Sequence, residues 1–367
     1  MSAPRVLVSG VVLGQPMGGV RRHNAELLPR VARLLAAHGG SLAVLEGREP
    51  IAFALPPEIE RIRCDVPSRP VLARARHEGA ALRAAIDRSV KEGRPFDLVH
   101  TAHLPAPRGL AVPYTITIHD LRRLDALDST LVRWPSWTAG IAIRRAIRGA
   151  AAVIAVSESV RADIRARFRV PPERAGIVRN AADHFAPLPR QLSANAPILC
   201  VGHLERRKNI DVVLRALSID RELPRLALAG APKANEEERL RRLASRLGVA
   251  DRVEFLGPFD DRELASLYAH AGCVVLPSRI EGFGISALEA QRARAPLAIA
   301  VIPPLVEVAS SATPSFAPED ERACANAIRR ALAATSADLD RAEANARRYS
   351  WDASARAWFE IWCAAAG

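Results

Sequence analysis

Short runs of β-branched and aliphatic residues alternate with longer amphipathic runs along almost all of this 367-residue chain. In the first half RVLVSG, SLAVLEG, DLVHTAH, YTITIHD, AVIAVSE and GIVRN read as strands. Runs such as VRRHNAELLPRVARLLAAHG and LARARHEGAALRAAIDRSVKEG read as the helices between them. This alternation admits few architectures: strands separated by helices pair in parallel, and a parallel sheet needs both faces covered. The pattern lapses once, at DHFAPLPRQLSANAP (183–197), where prolines and polar residues suit a linker. It then restarts, with PILCVG, RLALAGA, RVEFLG, CVVLPS and PLAIAVI as strands, and NIDVVLRALSI, NEEERLRRLASRLG, DRELASLYAHA and ISALEAQRA as helices. The expected fold class is α/β, with two Rossmann-like doubly wound domains spanning 1–185 and 196–348. Open α/β sheets bind ligands beyond the carboxyl ends of their strands. Two such sheets facing a central cleft would therefore enclose a site, and motifs at strand ends carry most weight.

Hydrophobic residues make up 49% and charged residues 25% of the chain, which is ordinary for a globular protein and argues against disorder. The formal charge of +12 favours anionic partners: nucleic acid, a sugar nucleotide or an anionic membrane face. The arginines are spread along the chain, as in VRADIRARF and EERLRRLASRLG, which also fits solvated helix faces. A nucleic-acid-binding protein would gather them on one face among stacking aromatics, whereas tyrosines number three here. The five cysteines, Cys64, Cys200, Cys273, Cys324 and Cys363, form no Cys-x-x-Cys pair, so free thiols in a reducing compartment are expected and no metal site is built on them. The apolar run in MSAPRVLVSGVVLG is too short for a signal peptide, and nowhere do about eighteen apolar residues run together. A cytoplasmic protein is expected, able to rest peripherally on the inner face of a membrane.

The stretch SRIEGFGISALEA (278–290) follows the strand CVVLPS and so lies at a strand's carboxyl end. Gly282 and Gly284 permit backbone conformations closed to other residues and let a ligand approach closely. A helix starting near Ile285 presents unpaired amides and the positive end of its dipole, which suits a phosphate or diphosphate. Glu281 in the turn could accept hydrogen bonds from sugar hydroxyls, and Glu289, about one turn into the helix, could hold a ribose. The plain alternative is a glycine turn with two structural acids. Elsewhere, Ser157 in AVSES reads as a helix cap, and His119 at the end of YTITIHD would ordinarily be a satisfied core histidine. Asp120 either orients His119 or caps the next segment, and the role of His103 in HTAHLP stays open.

EGFGISALEA resembles the E-x7-E motif of the retaining glycosyltransferases of family 4, which have the GT-B fold. VGHLERRKNI resembles that family's strand followed by Arg-Lys-Asn, here Arg207, Lys208 and Asn209. QPMGGVRRHNAELL resembles its first glycine loop, TIHDL its His-Asp segment, and RRYSWDASARAWFEIW its closing helices, which implies that a helix within 349–367 crosses back to the first domain. The matches run in order over nearly the whole chain. The resemblance implies that Arg207 and Lys208 clamp the donor's diphosphate, with backbone amides of the turn, Gly282, Phe283, Gly284 and Ile285, contacting sugar or phosphate. It implies that Glu281 touches the transferred sugar, that Glu289 binds the ribose, and that Gly18 and Gly19 let their loop pass close to donor phosphates and acceptor. His119 would face the donor sugar, making His119 and Glu281 the expected catalytic pair.

The sequence departs from the family pattern at Ala181, after Asn180, and at Ala295, where glycine is usual, and His203 stands where arginine is frequent. The resemblance further implies transfer from a nucleotide-sugar donor, of GDP-mannose type, to a glycan or lipid-linked acceptor of surface polysaccharide synthesis. The anomeric configuration would be retained by front-face attack, the leaving phosphate assisting deprotonation of the acceptor. No cofactor and no metal are expected, since Arg207, Lys208 and the helix end would meet the diphosphate charge. A GT-B epimerase or phosphorylase is the rival enzyme, the phosphorylase disfavoured by the lack of a pyridoxal-lysine context. RWPSWTAGIAIRRAIRG, from Trp134 to Gly149, mixes tryptophan, apolar residues and arginine, and suits either contact with an anionic membrane or a packed helix.

Overall fold

The computed structural model describes residues 3–15, 18–103, 109–121, 136–193 and 195–367. The chain divides into two compact units, one of residues 1–180 with 351–367 and the other of residues 181–350.

The first unit is a seven-stranded, wholly parallel sheet of β1 (Arg5–Ser9), β2 (Ser41–Glu46), β3 (Glu60–Arg63), β4 (Leu98–Thr101), β5 (Tyr114–Ile118), β6 (Ala152–Ala155) and β7 (Ala175–Ile177). Their order is β3-β2-β1-β4-β5-β6-β7, so the winding reverses between β1 and β4. In register, Val6 pairs with Leu42 on one side and Leu98 on the other. β4 and β6 are buried at every position, as strands covered on both faces must be. Four helices connect these strands: α1 (Gly18–Ala37), α2 (Val71–Lys91), α3 (Ser136–Gly149) and α4 (Glu158–Phe168). α1 turns Leu27, Leu28, Val31 and Leu35 inward. Ser157 caps α4, its hydroxyl accepting from the Val160 amide at 3.1 Å. Residues 133–135 of the tryptophan-rich stretch, Trp134 among them, and Met17 of the glycine loop lie outside the described residues.

The second unit repeats the plan with six parallel strands: β8 (Ile198–Val201), β9 (Leu226–Ala229), β10 (Val253–Gly257), β11 (Cys273–Leu276), β12 (Leu297–Ala300) and β13 (Ser315–Phe316), ordered β10-β9-β8-β11-β12-β13. Its helices are α5 (Ile210–Ile219), α6 (Glu236–Arg246), α7 (Asp261–His270), α8 (Ile285–Arg292), α9 (Pro303–Val308), α10 (Glu321–Leu332) and α11 (Ser336–Ala346). One core gathers Leu214 and Leu217 of α5, Leu226 and Leu228 of β9, and Ile328 of α10. Asp260 starts α7 with a capping box closed by Glu263. Cys200, Cys273 and Cys324 are buried in this unit as free thiols, and burial pushes the Cys200 thiol up to about 12.

The last helix, α12 (Trp351–Ala366), belongs to the first unit, where it packs along α1 with Trp351, Trp358 and Trp362 fully buried. The proline-rich stretch read as a linker belongs to the second unit, so the division falls between Asn180 and Ala181 and not within 185–196. Hydrogen bonding explains the difference. Arg190 donates to the carbonyls of Tyr268 and Ala271, and the Gln191 amide donates to that of Ala269, pinning the stretch to the end of α7. No helix among the described residues is long and apolar enough to cross a membrane.

Candidate active site

The second unit gathers three separated sequence elements at the carboxyl ends of its central strands. After β8 the chain makes a single helical turn over Arg206–Lys208, and Asn209 follows with φ +54°. Asn209 holds that unusual backbone by donating its amide to the carbonyls of Pro277 at 3.1 Å and Pro318 at 2.7 Å. The turn thereby points Arg207 and Lys208 at Glu281, 73 and more residues away. Lys208 Nζ lies 2.7 Å from Glu281 Oε1, Arg207 Nη1 3.0 Å from Oε2, and the Ser278 hydroxyl donates to Oε1 at 2.8 Å. Arg207 also meets Glu205 at 2.5 Å, and Lys233 meets Glu205 at 3.2 Å. Burial alone would push the Glu281 carboxyl up, but Lys208 and Arg207 outweigh it and hold the group at about 2. Three cations face two carboxylates here, leaving one net positive charge.

The turn itself is built around Gly284, whose φ of +94° only glycine adopts readily and where a Cβ would come within 2.6 Å of Leu305. Gly284 is the N-cap of α8 and, lacking a side chain, offers the helix's first amides no side-chain acceptor of its own. Phe283 is buried with its ring edge against Tyr349, which leaves its backbone for a ligand and commits its side chain to packing. Gly282 and Ile285 of the same turn are partly exposed.

Glu289 is 5% exposed and already accompanied. Its Oε2 accepts from the Tyr268 hydroxyl at 3.0 Å, and its Oε1 stands 3.5 Å from His184 Nε2. Burial, reinforced by Glu289, pushes the Tyr268 phenol well above its ordinary value, so it remains a donor. His184 in turn lines a cavity of about 250 Å³ with Phe185, Asp261, Arg262 and Leu264. Sequence reasoning missed both partners of Glu289. His184 lies in the stretch read as a spacer, and Tyr268 sits at an apolar helical position.

In the first unit Gly18 opens α1 with φ +43°, and a Cβ on Gly19 would meet nothing within 4 Å, leaving that backbone approachable. His119 follows the end of β5. Its Nε2 is buried without a hydrogen-bond partner among the described residues, and burial, then His23, His103 and His100, hold it well below the ordinary imidazole range. His23 of α1 meets the His119 ring edge-on at 4.9 Å and lies 2.8 Å from Asn180 Oδ1. At the winding reversal between β1 and β4, Ser9 donates to Glu78, Glu78 pairs with Arg74 at 3.4 Å, and Arg74 reaches His103 at 3.3 Å. Neither group was visible in the sequence, because no short motif joins residues this far apart. Among the described residues no cluster of three or more His, Cys, Asp or Glu could hold a metal ion.

Against known proteins, residues 17–184 match the model of Glycosyltransferase Family 4, and residues 192–349 that of Glycosyl transferases group 1. Two parallel α/β sheets and this pair of matches give the chain the GT-B fold of glycosyltransferases. The first unit thus resembles the family 4 glycosyltransferases and the second the group 1 glycosyl transferases. D-inositol 3-phosphate glycosyltransferase of Streptomyces scabiei is 29% identical over 246 residues, 60% of this chain and 55% of that protein, so the chain spans about half the length of this curated relative. Among solved structures, WaaG, a glycosyltransferase involved in lipopolysaccharide biosynthesis, superposes with a TM-score of 0.71 at 20% identity, covering 97% of this chain and 99% of that one. HepE of Anabaena, in complex with UDP and glucose, does so with 0.67 at 18%, covering 97% and 98%.

Proposed function

We propose that the chain is a retaining hexosyltransferase, moving a sugar from a nucleotide-sugar donor of GDP-mannose type to a glycan or lipid-linked saccharide in surface polysaccharide synthesis. The observation that carries this is the Arg207–Glu281–Lys208 cluster at the glycine-capped start of α8, with Glu289 3.5 Å from His184, which lines a cavity of the same unit. The cavity of about 250 Å³ suits the base end of a nucleotide and is too small for a whole nucleotide sugar. Glu289 takes the ribose, exchanging its present partners for hydroxyls. The diphosphate lies at the first amides of α8 and draws Lys208 and Arg207 from Glu281, which is then released to accept from the transferred sugar. These cations neutralise the departing nucleotide, so the reaction needs no metal cofactor. His119 meets the same sugar from the end of β5. The acceptor attacks from the face the nucleotide leaves, the leaving phosphate takes its proton, and no protein nucleophile is needed.

The basic composition fits a cytoplasmic protein resting on an anionic membrane, where lipid-linked acceptors are found. α3 exposes Ile141, Arg144, Arg145 and Arg148, an apolar and cationic mixture of the kind that lies at lipid headgroups. The printed name of the curated relative adds inositol phosphate to the acceptors worth supplying.

Thermal stabilisation by GDP-, UDP- and dTDP-sugars, with chelator present, tests the proposal. One nucleotide class is expected to raise the melting temperature, and Glu289→Ala and Lys208→Ala to abolish the rise. No shift with any donor, together with a salt-sensitive shift on adding nucleic acid, overturns the reading.

A further inference from the structure

Three elements of the first unit meet at one buried imidazole. His23 sits on α1 about one turn beyond Gly19, Asn180 follows β7, and His119 follows β5. His23 and Asn180 are 0% and 5% exposed. The amide oxygen of Asn180 can only accept, so at 2.8 Å it fixes the proton of His23 on Nδ1 and leaves a lone pair on Nε2. That Nε2 is buried and has no hydrogen-bond partner among the described residues. A phenyl ring would fill the same space without leaving an acceptor unpaired, so the imidazole is explained by its bond to Asn180 and not by volume.

The ring has no freedom to turn. Trp358 closes it at 5.5 Å and Trp351 at 6.4 Å, both from α12, and His119 stands against it at 4.9 Å with the ring planes at 88°. His119 therefore has one wall set by a group anchored in three places. We infer that His23, held by Asn180, is a positioning residue for His119, fixing that ring as an oriented, uncharged group for the transferred sugar. This rests on the reading that His119 meets the sugar. It adds a role for Asn180, the residue whose neighbour Ala181 departs from the family pattern.

The charge state of His23 is what a test can change. The titratable groups facing it among the described residues are His119 from the end of β5 and His100 from β4, while α12 presents the indoles of Trp351 and Trp358, and its Asp352 pairs with Arg30 at 3.0 Å. On α1, Glu26 pairs with Arg22 at 3.3 Å and with Arg30 at 2.9 Å. Among the described residues no carboxylate draws a proton onto His23, and burial holds it at about 4. Asn180→Asp supplies that carboxylate in nearly the same shape. The resulting imidazolium would donate from Nε2 toward His119 and pull its ring out of place.

The experiment measures kcat and donor KM for wild type, Asn180→Asp, His23→Phe and His119→Ala, using GDP-mannose or whichever nucleotide sugar stabilises the chain, with melting temperatures at each pH. His119→Ala is expected to be inactive. For Asn180→Asp, kcat relative to wild type should fall about tenfold near pH 6 and recover at about pH 8.5, with donor KM little changed. A ratio that is flat with pH overturns the inference, since a merely structural lesion follows melting temperature and not protonation. Should Asn180→Asp not fold, His23→Phe decides. A loss of about tenfold in kcat at constant donor KM supports the inference, and unchanged kcat overturns it. Wild-type kcat in His119→Ala refutes the role of His119 itself. That outcome is distinct from an inactive His119→Ala accompanied by a flat ratio, which removes only His23.

Discussion

The two units share a plan and differ in how they hold polar groups at the carboxyl ends of their strands. In the second unit charge answers charge, with Arg207, Lys208 and Lys233 set against Glu205 and Glu281. In the first, His23, His100 and His119 are kept neutral by burial among Trp351, Trp358 and Trp362. One parallel sheet thus presents a site poised for an anion, and the other a site that charge would disrupt. The net charge of +12 describes neither, because most of those arginines are spent on solvated helix faces or on local ion pairs such as Arg241 with Glu237.

Acid should separate the two, and this is the largest effect expected. His23 titrates at about 4 in the folded chain against an ordinary 6.5, so the unfolded state binds the proton first. Its neutral form stabilises the fold fully above pH 6.5, and that contribution drains away as the pH falls to 4, about 3 kcal/mol from this residue alone. His100 and His119 are shifted in the same direction. Glu281 works in another window. Its carboxylate, held at about 2 against 4.5, stabilises the fold above pH 4.5 and is lost only below that. The second unit's His203 is shifted downward too, but it is partly exposed and solvent weakens its contribution. All five tryptophans lie within the first unit's sequence, so indole fluorescence reports on it alone. Fluorescence should change between pH 6.5 and 4.5 while amide exchange in β8, β9 and β11 stays slow. Simultaneous loss of both signals would break the comparison.

The second effect is local. Glu281→Gln keeps the shape of the side chain but leaves Arg207 and Lys208 facing a neutral amide. Removing one partner of a buried pair should cost about 3 kcal/mol in urea unfolding. Product nucleoside diphosphate should bind more tightly, because the cations are no longer shared, while kcat falls. Unchanged nucleotide affinity would show that Glu281 does not compete with the ligand for Lys208.

How much of this was legible in the sequence depended on burial and on distance along the chain. The central strands announce themselves as apolar runs because both faces are covered. The two strands that were not foreseen, β3 and β13, are the edges of their sheets. β3 is ERIR, mostly exposed, and β13 has two residues. In the site, Glu281, Glu289, Arg207 and Lys208 were each visible in short motifs. That Glu281 is the counter-ion of the other motif's two cations was not visible, because the link spans 73 residues or more. The bond between His23 and Asn180 spans 157 residues and joins two side chains with ordinary local explanations, a helix face and a strand end. Motifs record which residues a site needs; only the packed fold records which of them hold one another.

The smallest effect tests whether the second unit's carboxylates are all of one kind. Tyr268→Phe removes a single hydroxyl and leaves the ring against Phe185, whose centroid lies 5.4 Å away. The lost bond is to a carboxylate, so stability should fall by about 1.5 kcal/mol. Among the described residues Glu289 would keep the contact with His184 at 3.5 Å. If Glu289 serves the ribose, a less well oriented carboxylate should weaken nucleotide binding by up to about tenfold while kcat at saturation holds, because the hydroxyls it reads do not react. If it serves only the fold, stability falls by the same amount and calorimetry finds nucleotide affinity unchanged. The first result would divide this unit's acids by function, with Glu281 acting on the sugar that moves and Glu289 on the nucleotide that stays. The second would leave Glu281 as the only acid of the pair to meet the donor.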